Sequence, residues 1–102
     1  MKKILITELS KQVLTEIAST SWCKKRKDTL RCRGIRPILQ HFEEKGILYY
    51  DEETAKNFTV QVYNQYLAGK CRKDSWQTIR KCSAFMLQVF NSGHISIEPL
   101  TQ

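Results

Sequence analysis

The chain has 102 residues, 41% of them hydrophobic, with four glycines and two prolines. That suits one domain with a single core and excludes a disordered or collagen-like chain. Seventeen Lys and Arg against ten Asp and Glu give a net charge of +7 and a pI of about 9.4, a balance that favours polyanions, nucleic acid ahead of an anionic membrane surface. No apolar run nears the roughly 18 residues of a membrane span. The run Ile4 to Ile6 is too short for a secretory signal. The expectation is a cytoplasmic protein.

Four segments carry helical periodicity. In the first, Leu5 to Thr20, Ile6, Leu9, Val13, Leu14 and Ile17 form one apolar stripe, while Glu8, Lys11, Gln12 and Glu16 face away. Ser19, Thr20 and Ser21 end it, because their hydroxyls compete for backbone hydrogen bonds. The second segment is expected from Asp28, as N-cap, to Lys45, with Gly46 as its stop. Leu30, Gly34, Ile35, Ile38, Leu39 and Phe42 fall on one side; Arg33, Arg36, Gln40 and Glu43 fall on the other. Pro37 removes an amide donor and crowds the Arg33 carbonyl, so a kink or a broken first turn is expected, with Gly34 adding flexibility there.

The third segment, Glu52 to Leu67, starts at a good N-cap, Asp51, with two glutamates in its first turn. Ala55, Phe58, Val62 and Tyr66 form its stripe, and Gly69 ends it. The fourth runs from Asp74 to Asn91, with Asp74 and Gln77 as a capping box and Gly93 as stop. Its wide stripe of Ile79, Cys82, Met86, Val89 and Phe90 predicts a central, buried helix. In the tail, His94 to Gln102, Ile95, Ile97 and Leu100 alternate with polar residues, as in a short strand or an extended linker. They are expected to lack a partner in this chain. The predicted architecture is an all-α, four-helix bundle with short loops.

The positive charge is bunched. From Lys24 to Arg36 the chain carries Lys24, Lys25, Arg26, Lys27, Arg31, Arg33 and Arg36 against Asp28 alone. Lys70, Arg72, Lys73, Arg80 and Lys81 form a second group. Together these hold twelve of the seventeen bases, while Pro37 to Ala68 holds two bases and five acids. Cations at the N-terminal end of a helix oppose its dipole; a negatively charged partner accounts for them. Arg and Lys reach phosphates, and Arg and Gln read guanine and adenine edges. The expected DNA-binding set is therefore Lys24, Lys25, Arg26, Lys27, Arg31, Arg33, Arg36 and Gln40 with Lys73, Gln77, Arg80 and Lys81. A solvated basic face is the bland alternative. Trp22 and Trp76 each flank a basic stretch, suited to the core or to a sugar-phosphate edge.

Catalytic patterns are missing. There is no phosphate loop, HExxH or GxSxG. Asp51, Glu52 and Glu53 read as cap and first turn, and His41 as a half-buried structural histidine. The gaps of 8, 38 and 10 residues between Cys23, Cys32, Cys71 and Cys82 fit no zinc pattern. Reduced thiols are preferred to two disulfides. No metal, cofactor or enzymatic activity is expected.

The order of these features resembles a known family. A Thr-bearing helix start at Thr29 leads to Phe42, Lys45 and Gly46; YDEETAKNF follows. DSWQTIRKCSAFMLQVFNSGHI then places Ile79, Arg80, Phe90, Gly93 and Ile95, with a proline near the end. This is similar to the SAM-like core-binding domain of tyrosine recombinases, the phage integrase family, over about Leu5 to Pro99. The resemblance implies two crossed helical hairpins that clamp one face of a core recombination site, with the second and fourth helices toward the major groove. It implies double-stranded DNA, other recombinase protomers and a C-terminal catalytic domain of the same polypeptide as partners. Residues 1–93 would be the DNA-binding domain and 94–102 a linker. Pro37 departs from the family pattern. A helical protein-interaction domain whose basic face meets an acidic protein is the alternative; a free-standing helix-turn-helix regulator ranks lower.

Overall fold

The computed structural model describes residues 3–95. These form an all-α fold of four helical rods: α1 (Ile6–Ala18), a long rod over residues 24–44, α4 (Glu52–Leu67) and α5 (Lys73–Ser92). The long rod has three parts, α2 (Lys24–Leu30), a π turn (Arg31–Ile35) and α3 (Arg36–Glu44). None of the helices is long and apolar enough to cross a membrane.

The apolar stripes close one core. Ile6, Leu9, Val13 and Ile17 of α1 meet Leu30, Ile35, Ile38 and Phe42 of the long rod. Ile79, Cys82, Met86 and Val89 of α5 complete it. α5 packs against every other rod, as its wide stripe predicts. Each large side chain that is fully buried contributes about 1.5–3 kcal/mol of transfer free energy. His41 is half-buried and stacks on Phe58 at 4.4 Å between ring centroids. Desolvation lowers its pKa, Lys45 lowers it further, and Glu44 opposes both.

Three helix boundaries depart from expectation. The long rod starts at Lys24, after Cys23, and no side chain caps it. Asp28 is inside the rod and pairs with Arg31 at 3.3 Å. Second, Pro37 produces no break. The turn before it widens, with the Arg36 amide donating to the Arg31 carbonyl, and α3 restarts with Pro37 in its first turn, where a missing N–H is tolerated. Third, α5 starts at Lys73 with Arg72 as its uncapped N-cap residue, so Asp74 sits in the first turn and there is no capping box. α4 obeys its sequence throughout: the Asp51 carboxylate accepts from the Thr54 amide at 3.0 Å.

The tail also differs. Ile95 is buried in this chain's own core, and its amide donates to Glu16 Oε1 at 3.0 Å. Glu16 therefore anchors the exit of α5 and does not simply face solvent. Ile97, Leu100 and the rest of the tail lie outside the described residues. The segment before α4 is pinned to the start of α1: the Ile6 amide donates to the Leu48 carbonyl and the Tyr50 amide to the Ile4 carbonyl.

Gly34 marks the closest helix approach. A Cβ built there would overlap the Cys82 Sγ and come within 3.0 Å of the Cys82 Cβ and 3.2 Å of the Thr78 Cγ2. Gly34 thus serves contact rather than flexibility. The Cys82 thiol donates to the Leu30 carbonyl at 3.5 Å, fastening α5 to the rod just ahead of the widened turn.

Burial raises two acidic groups. The Cys82 thiol is pushed from 9.0 to about 12, with Lys81 opposing. The Tyr50 phenol, its ring beside those of Phe42 and Phe90, goes from 10.0 to about 12, with Glu52 and Asp51 adding to the rise. In both cases the fold retains a proton that the unfolded chain releases first. Their contribution is complete below about pH 9 and is lost as the pH climbs toward 12. Urea unfolding should show flat stability from pH 7 to about 9 and a fall above it. Tyr50→Phe should flatten the part of that fall above pH 10.

Candidate nucleic-acid interface

The two basic stretches meet along one groove between the long rod and α5. Lys25, Arg26, Thr29, Leu30 and Arg33 form one wall. Asp74, Gln77, Thr78 and Lys81 form the other. The spacing follows from helical geometry, since positions three and four apart share a face. Lys25, Thr29 and Arg33 step along one edge of the rod; Asp74, Gln77 or Thr78, and Lys81 step along α5. The groove holds about 540 Å³, and the Gly34–Cys82 approach lies next to it, so the missing Cβ lets the two walls come close.

Four cations, Lys25, Arg26, Arg33 and Lys81, therefore share a concavity with one carboxylate, Asp74. Their mutual repulsion is screened only over about 8 Å at physiological salt. Two hydroxyls are already occupied: Thr29 Oγ1 donates to the Lys25 carbonyl at 2.9 Å and Thr78 Oγ1 to the Asp74 carbonyl at 2.7 Å. Gln77 is half-buried on the α5 wall. The Arg26 guanidinium lies 4.2 Å over the Trp22 ring, and Trp22 stacks on Phe85 at 5.9 Å. Such cation–π contact holds a long side chain in place.

The other expected contact residues lie elsewhere. Lys24 borders a second hollow with Asp28 and Cys32, which adjoins the groove through Lys25, Thr29 and Arg33. Lys27 donates from Nζ to the Ala18 carbonyl at 2.8 Å and so ties the rod to the end of α1. Arg31 is engaged with Asp28. Arg36 and Gln40 are exposed farther along the rod, and Lys73 at the first position of α5 is exposed beside Asp74. Arg80 turns away from the groove. It lies 5.5 Å over the Trp76 ring and borders a hollow with Tyr50, Glu52 and Lys56. Both tryptophans pack into the fold, Trp76 against Tyr63 and Tyr66. Asp74, Thr29 and Thr78 were not singled out as groove residues from sequence; a helical wheel aligned on Arg33 and Lys81 finds them.

The chain matches no protein-family model, no curated protein and no solved structure. The groove's chemistry is thus read from its residues. It offers four cations, one carboxylate and one amide side chain. Among the described residues no three His, Cys, Asp or Glu side chains gather as a metal site.

Proposed function

We propose that this groove binds duplex DNA, and that the chain acts as the core-binding domain of a site-specific tyrosine recombinase. In that reading the four rods are two crossed hairpins that help clamp a recombination site, without strand-cleaving activity of their own. The supporting observation is the convergence of Lys25, Arg26 and Arg33 with Lys81, some fifty residues away, on one concave face. Lys25, Arg26 and Lys81 neutralise phosphates, while Arg33 and Gln77 have the chemistry for base edges. The cations at the start of α2, unfavourable for the helix dipole, gain a partner. Partners in this reading are the duplex, neighbouring protomers and a catalytic domain.

Fluorescence anisotropy with a labelled duplex tests it. Three phosphates neutralised give a slope of log K against log salt of about −2.7. Absence of binding at low salt contradicts the reading, and capture of an acidic protein that survives nuclease treatment favours the protein-interaction alternative.

A further inference from the structure

The outer side of α4 is unusual for so basic a chain. From Asn57 to Gly69 there is no charged residue, thirteen in succession, where 26% of the whole chain is charged. A similar uncharged run in the second half of α5 is explained by burial, since Cys82, Met86 and Val89 are core. Burial does not explain α4, whose buried residues are Ala55 and Val62. Val60 is 56% and Leu67 63% exposed.

These residues are in a pattern. Asn57, Val60, Asn64 and Leu67 recur at the a and d spacing of a two-helix seam, with Gln61 and Ala68 alongside. Asn57, Val60, Gln61, Asn64, Gln65 and Ala68 line one shallow hollow along the helix, with Lys70 at its C-terminal end. An outer face meant only for water is normally furnished with Lys and Glu. Glu53 and Lys56 mark where this stripe begins.

We propose that this stripe pairs with the same stripe of a second copy of the chain. Two copies that each carry +7 repel, so they meet most easily where each presents least charge, here Lys70 alone at the end of the hollow. The asparagines favour parallel, in-register pairing, which sets Asn57 and Asn64 opposite their own counterparts; an antiparallel pair sets them against Val60 and Leu67. The seam is about 18 Å long and about 10 Å wide. That falls well short of the roughly 800 Å² per partner of a standard stable interface. Pairing is therefore weak between free copies. It strengthens when one polyanion holds both, a clause that rests on the DNA reading.

Sedimentation equilibrium from about 10 μM to about 1 mM, without DNA, tests the pairing. Average mass should rise with a Kd of about 0.1–1 mM, and amide shifts that depend on concentration should be confined to residues 57–68. Val60→Glu combined with Leu67→Glu should weaken association at least ~10-fold while helical CD is kept, since both side chains are exposed. Asn64→Leu should tighten it by ~5-fold or more, because a polar a position costs stability. A monomer throughout the range overturns the proposal. So does association that neither variant changes, which assigns the contact to another face. Because no DNA is present, failure of the DNA reading leaves these outcomes intact.

Discussion

Lys25→Glu, Arg33→Glu and Lys81→Glu combined are expected to weaken duplex binding at least ~100-fold at physiological salt and to flatten the salt dependence by about two units of slope. The three cations come from both walls of the groove. The proper control is the same change of net charge elsewhere. Lys45, Lys56 and Lys70 are exposed and lie outside the groove; reversing those three should cost far less, since long-range attraction is screened beyond about 8 Å. Stability should move the other way. Lys25 sits in the first turn of α2, where a carboxylate suits the dipole, so Lys25→Glu alone should stabilise the fold by roughly 0.3–1 kcal/mol. Loss of affinity with a gain in melting temperature is not an unfolding artefact. Equal losses for both triple variants would show that net charge, not the groove, governs binding.

Gly34→Ala should destabilise the fold by about 1–3 kcal/mol, the range for overpacking a filled interior. The added methyl meets Cys82 where the π turn crosses α5. In most helices Gly→Ala stabilises by up to about 1 kcal/mol through propensity, so the sign itself is the test. Cys82→Ala removes the Sγ that the methyl overlaps, leaving the tight 3.0 Å approach between the two Cβ positions. The cost of Gly34→Ala in that background should drop by more than half, a coupling of about 1 kcal/mol or more in a double-mutant cycle. Additive effects would place the strain elsewhere. Because the same crossing sets how close the groove walls come, Gly34→Ala should also weaken duplex binding.

The sequence was most legible where local rules agree. α4 has its cap, its acidic first turn and its Gly69 stop in register, and the structure follows them. The stripes of α1 and α5 named most of their buried residues, although Leu14 and Phe90 are only half-buried and the buried Ser10 was missed. The start of the long rod was hidden because Cys23 gives no capping side chain and four successive cations oppose the dipole. Pro37 signals trouble in any sequence reading, but whether a chain kinks or inserts a π turn depends on what the next turn packs against. Here that is Cys82 and Thr78, 51 and 47 residues from the turn's first residue by chain. For the same reason Gly34 read as loose when it is tightly placed. The pairing of Leu48 and Tyr50 with Ile4 and Ile6, and of Ile95 with Glu16, are long-range contacts with no local signal. The groove was half legible. Clustering of Lys and Arg pointed to the two stretches that line the groove, but only the crossing of two helices selects Lys25, Arg26, Arg33 and Lys81 as its cations and sends Arg80 and Lys27 to structural partners.

The claim that two remote basic stretches act as one surface is tested most directly by titrating the isotopically labelled chain with duplex DNA and following backbone amides. Lys25 and Arg33 on the rod and Gln77 and Lys81 on α5 should shift together, with a single midpoint that moves with salt, while the outer turns of α4 stay still at low occupancy. Shifts confined to one of the two walls, or centred on the Arg80 and Lys56 side, would contradict it.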